Sequence, residues 1–100
     1  MTYDAEIADR VRAIIGEADE KRMMGSLAFL VNGHIAVGVS GDEVFFPVGG
    51  GAALDLAVQR GAHRLTMTGG RTAPFAALTD PDDDTLAEWI PEAVARAQAR

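Results

Sequence analysis

Residues 21–39 read Lys21-Arg22-Met23-Met24-Gly25-Ser26-Leu27-Ala28-Phe29-Leu30-Val31-Asn32-Gly33-His34-Ile35-Ala36-Val37-Gly38-Val39. Asn32-Gly33 between two apolar, β-branched runs is a strong hairpin signal, because a two-residue turn with positive φ at both positions matches the twist of the flanking strands. The segment predicts a strand over 21–31, or two strands broken at Gly25, and a strand over 34–40. Gly41-Asp42 offers a second two-residue turn into a strand over 43–48. Pro47 lacks a backbone donor, so this strand is expected at a sheet edge. The basic Met-Met-Gly opening has no evident role in building a strand.

Helical spacing brackets this meander. Tyr3, Ile7, Val11, Ile14, Ile15 and Ala18 form one stripe, with Asp4 and Glu6 at the end that favours negative charge, which predicts a helix over residues 3–16. Gly49-Gly50-Gly51 ends the meander as a joint. Ala52 to Arg60 then reads as a helix with Leu54, Ala57 and Val58 on one face, stopped at Gly61. Weaker strands follow at 63–68 and 73–79. Asp80-Pro81-Asp82-Asp83-Asp84 reads as a turn and an acidic cap for a last helix whose stripe is Leu86, Trp89, Ile90, Ala93, Val94 and Ala97. Pro91 inside it predicts a kink. The order α-β-β-β-α-β-β-α gives an α+β fold, an antiparallel sheet with helices packed on it.

One hundred residues with 48% apolar content make a single domain, 1–100, that folds. No apolar run approaches the ~20 residues that span a bilayer. The first residues lack a signal peptide's basic and apolar regions, and the chain has no cysteine. A cytoplasmic location is therefore expected. The net charge of −6 and nine scattered Lys and Arg lack the basic face that neutralises phosphates, so no direct nucleic-acid binding is expected.

Two-residue turns fix a provisional register. Val31 then faces His34, Leu30 faces Ile35 and Phe29 faces Ala36, while Val39 faces Val44 and Gly38 faces Phe45. Alternation puts Leu30, Ile35, Val37, Val39, Val44 and Phe46 on one side, as a core. Leu27, Phe29, Val31 and Phe45 fall on the other, above Ala36 and Gly38. Three short helices cover two faces poorly. Leu27, Phe29, Val31 and Phe45 are therefore expected to form a contact surface for a second copy or another protein, unless a bulge shifts the register.

Catalytic and metal signatures fail on spacing. His34 and His63 lack a third ligand or a His-Glu-x-x-His pattern. Ser26 and Ser40 lack a nucleophile elbow. Gly49-Gly50-Gly51 fits neither phosphate-binding glycine motif, because no Gly-Lys-Ser/Thr follows and Leu54 replaces the last glycine. Asp80, Asp82 and Asp84 match the first positions of an EF-hand loop, but Thr85 and Pro91 stand where it needs Gly and Glu. No catalytic residue, cofactor or metal is assigned.

Lys21, Met23, Gly25, Phe29 and Gly33, together with the Tyr-Asp-x-x-x-Ala start, Met67-Thr68-Gly69 and the Trp89 helix, resemble the N-terminal domain of the TfoX (Sxy) family. Met24 and Ser26 depart from its usual Phe and Gly. Gly69 to Phe75 is similar to its Gly-Arg-Pro-Met…Trp stretch, displaced or substituted. The resemblance implies a secretion-chaperone-like fold and a regulatory, protein-interaction role of the kind that full-length competence regulators have. The alternative reading is a small-molecule binder or minor enzyme with a pocket near Lys21, Gly25 and Arg71.

Overall fold

The computed structural model describes residues 3–23, 25–48, 52–66 and 72–99. Along the chain run α1 (Ala5–Ile15), β1 (Asp19–Met23), β2 (Ser26–Val31), β3 (His34–Ser40), β4 (Glu43–Pro47), α2 (Ala52–Gln59), β5 (His63–Thr66), β6 (Thr72–Thr79) and α3 (Asp83–Gln98). The α+β class holds, and of the two readings offered for the segment before Asn32 the structure shows the one with two strands, interrupted around Gly25, which adds one strand to the order α-β-β-β-α-β-β-α. The described strands form one antiparallel sheet in the order β1-β2-β3-β4-β6-β5. Gly49-Gly50-Gly51 and the Met67 to Arg71 motif lie outside the described residues.

Local chemistry explains the element ends. The Asp4 carboxylate accepts from the backbone N–H groups of Glu6 and Ile7 at 2.9 and 3.3 Å, satisfying donors that the first helical turn leaves orphaned. Asp82 does the same for α3, accepting from Thr85 N–H at 2.8 Å. Asn32 and Gly33 have φ of 53° and 78°, the paired positive values of the hairpin turn anticipated from Asn-Gly. Pro91 sits within α3, which continues through it; the missing N–H leaves the Ala87 carbonyl on an exposed position.

Two expectations about the sheet are corrected. β4 is not an edge strand: it lies between β3 and β6, and the edges are β1 and β5. Pro47 is tolerated because it is the last residue of β4, paired with Phe75, where losing one donor interrupts little of the ladder. The second correction is register. Val31 faces His34 and Leu30 faces Ile35 as expected, but Phe29 faces Val37 and Leu27 faces Val39, because the pairing shifts between Phe29 and Leu30. β3 therefore carries one extra residue at Ala36, a β-bulge. Because side chains alternate with period two, one extra residue moves every later side chain of β3 to the other side relative to β2.

The helices use the faces their stripes foretold. Ile7 and Val11 of α1, Leu54 and Ala57 of α2, and Leu86, Trp89, Ile90, Ala93 and Ala97 of α3 are buried. They join Leu27, Phe29, Val37, Val39, Val44, Phe46, Ala76 and Leu78 in one core cluster. α3 lies on β2 and β3, α1 packs on α3, and α2 covers β5 and β6. All described helices thus occupy the same side of the sheet.

Candidate interaction surface

The bulge decides which side chains remain on the side without helices. Leu27 and Phe29 are 3% and 0% exposed and belong to the core. Val31 is half-buried against that core. Of the four residues expected at a contact surface, only Phe45 is on the other side. Leu30 and Ile35, assigned to the core by the unbulged register, are the reverse case. They pair with each other, are half-buried, and lie outside the core cluster. Phe75 joins them on that side through its pairing with Pro47.

Phe45 closes the middle of this face. Ala28, Gly38, Phe45 and Ala77 form one row across four strands. Ala28 and Ala77 are fully buried without joining the helix-side core. The Phe45 ring lies directly over Gly38, in the space a Cβ would need. It also stacks on Phe75, with centroids 5.6 Å apart and planes 24° from parallel. The small residues are thus a floor for one aromatic ring, a close approach that glycine permits. Sequence reasoning found Phe45 and the small residues beneath it and missed Leu30, Ile35 and Phe75. The apolar tetrad Phe29-Leu30 opposite Ile35-Ala36 was the available signal, since only a bulge lets both phenylalanine and leucine find an apolar side.

One polar end of the face is built on a contact between an imidazole and a carboxylate. His63 on β5 reaches across β6 to Glu43 on β4, with Nε2 to Oε2 at 2.5 Å. The Thr79 hydroxyl donates to the same carboxylate at 3.3 Å. Glu43 orients that imidazole; among the described residues no group of three or more His, Cys, Asp or Glu is placed to hold a metal ion. At the opposite end, Lys21 is exposed on β1.

On the helix side, Arg12 grips Glu20 with two bonds, Nε to Oε2 at 2.6 Å and Nη2 to Oε1 at 2.7 Å. This clamp ties β1 to α1. The hydrogen bond from Arg12, more than its charge, holds the Glu20 carboxyl below its usual range. A depressed folded-state pKa adds stability above the unfolded value and loses it as pH falls through the folded one. Being partly exposed, the pair contributes no more than about 1 kcal/mol. A carboxyl-carbon NMR titration is expected to find Glu20 below the ordinary ~4.3, and Arg12→Gln to return it there.

Arg60 plays a similar bridging part between α2 and α3. Its Nη2 donates to Glu88 and Glu92 at 3.0 and 2.8 Å, and its guanidinium lies 4.3 Å from the Trp89 ring centroid. The concavity beside it, lined by Leu56, Ala57 and Trp89, holds about 210 Å³, below the ~300 Å³ where small-molecule pockets begin. The alternative pocket near Lys21, Gly25 and Arg71 is not assembled by the described residues, because Arg71 lies outside them.

The motif residues now have structural duties. Lys21 and Met23 belong to β1, Met23 pairs with Ser26, and Gly25 has φ of 87° in the turn between them. That value is in the left-handed region where a Cβ is strained. Phe29 is core, and Gly33 completes the next turn. The opening Lys-Arg-Met-Met-Gly is therefore an edge strand and its hairpin, of which Met24 lies outside the described residues.

The TfoX N-terminal domain profile matches residues 9–97, nearly the whole chain. The chain belongs to the TfoX N-terminal domain family. No curated protein matches it, and no solved structure does. For this TfoX N-terminal domain, membership carries a small regulatory type of domain. No described helix is long and apolar enough to cross a membrane.

Proposed function

We propose that this TfoX N-terminal domain is a cytoplasmic regulatory module that acts by binding another protein through the side of its sheet that carries no described helix. The observation behind this reading is the set Leu30, Ile35 and Phe75, half-buried on the same sheet side as the Phe45 ring, a side that no described helix covers. An antiparallel sheet with a solvated face ordinarily alternates apolar with polar residues, and apolar side chains gathered there are a usual mark of contact. The net charge of −6 favours a protein over nucleic acid as the partner. Regulation of competence genes is the role the family name brings to this module.

The test compares Ile35→Glu and Leu30→Glu with Leu56→Glu, whose parent side chain is 60% exposed on α2. A partner captured from native extract by the wild-type chain is expected to lose at least tenfold in affinity with the first two variants. It is expected to bind the third normally, with all three variants folded at the assay temperature by circular dichroism. Unchanged binding by Ile35→Glu and Leu30→Glu overturns the proposal.

A further inference from the structure

β1 is an edge strand among the described residues, none of which pairs with the outer side of its backbone, and such an edge is a template for another strand. Its sequence is Asp19-Glu20-Lys21-Arg22-Met23, and the first four residues are exposed. Charges on an edge ordinarily repel foreign strands. This order, two acids then two bases, is complementary to its own reverse. We propose that β1 pairs antiparallel with β1 of a second copy of this chain, joining two sheets into one.

Symmetry restricts the register. A two-fold axis that relates antiparallel neighbours in one sheet stands normal to the sheet, so each residue opposes one on the same side. With the axis at Lys21, the centre of β1, Glu20 opposes Arg22 of the second copy, and this pair occurs twice. Both residues point to the helix side, since Glu20 pairs with Phe29 and Arg22 with Leu27, which are core. On the other side Lys21 has Asp19 of the second copy as its diagonal neighbour, also twice. One like-charged contact remains, Lys21 against its own copy. No ion pair with another described residue engages Asp19, Lys21 or Arg22, so those lysines are at liberty to diverge. With the axis at Glu20 instead, the like pair is two carboxylates, each held in place by Arg12. A carboxylate accepts several bonds, so Glu20 keeps Arg12 while meeting Arg22.

The joined sheet puts both helix-free faces on the same side, doubling the surface available to a partner. The dimer does not depend on that partner, and its failure leaves the proposed function standing. The chain has no cysteine, so single cysteines report the register without interference. Across the axis, Cβ atoms at position 21 are about 5 Å apart, close to disulfide reach, whereas those at position 19 are separated by about 14 Å of strand. Wild type is expected to sediment as two chains. Lys21→Cys is expected to oxidise to a covalent dimer at least tenfold faster than Asp19→Cys, and adding Arg22→Glu to Lys21→Cys to slow it at least tenfold. A single-chain mass across the micromolar range, equal rates for Lys21→Cys and Asp19→Cys, or no effect of Arg22→Glu overturns the proposal.

Discussion

Phe29→Glu is expected to unfold this domain, while Leu30→Glu, one residue further on, is expected to leave it folded. Phe29 is fully buried in the helix-side core, with the Arg12 guanidinium 5.9 Å from its ring centroid. Truncating a buried phenylalanine to alanine already costs about 3–5 kcal/mol, and glutamate adds the cost of a carboxylate taken out of water. Arg12 is committed to Asp9 and Glu20 and does not compensate it fully. Against a total stability of about 5–15 kcal/mol, the folded state is lost. Leu30 is half-buried outside the core, so its charge stays hydrated and costs on the order of 1 kcal/mol. Urea unfolding followed by circular dichroism separates the two; similar midpoints for both variants contradict the face assignment.

Gly38→Ala is expected to destabilise the domain by about 1–3 kcal/mol, the usual cost of overpacking. The added methyl falls on the Phe45 ring, which has Ala28 and Ala77 along the same row and Phe75 stacked beside it. Displacing the ring also forfeits a stack worth about 0.5–1.5 kcal/mol. In a Phe45→Ala background the same methyl enters space the ring has vacated, so its penalty is expected to vanish. The double-mutant cycle measures that coupling directly. Additive effects show that the ring does not sit over Gly38.

What the sequence made legible was local. Asn32-Gly33 specified its hairpin, the stripes from Ile7 to Val11 and from Leu86 to Ala97 specified helices, and Asp4 and Asp82 specified caps. Each signal is complete within a few residues. What it hid was set by partners distant in sequence. Pro47 looked like an edge residue because nothing nearby says that β6 returns, after α2, to pair with β4. The bulge at Ala36 was hidden because Phe29, Leu30, Ile35 and Ala36 are all apolar, so both registers satisfy the pattern. The choice falls to the helix-side core, which takes Phe29 rather than Leu30. That one residue exchanged Leu27 and Phe29 for Leu30 and Ile35 on the helix-free side. The basic opening was obscure for a similar reason: β1 is mostly charged, and its strand identity rests on pairing with β2 and on the Arg12–Glu20 clamp.

The bulge is therefore the point on which the face assignment and the proposed surface both depend. Cross-strand proton contacts between β2 and β3, measured by NMR on the intact domain, test it directly. A bulge at Ala36 gives backbone contacts joining Phe29 to Val37 and Leu27 to Val39. Contacts joining Phe29 to Ala36 and Leu27 to Gly38 contradict it.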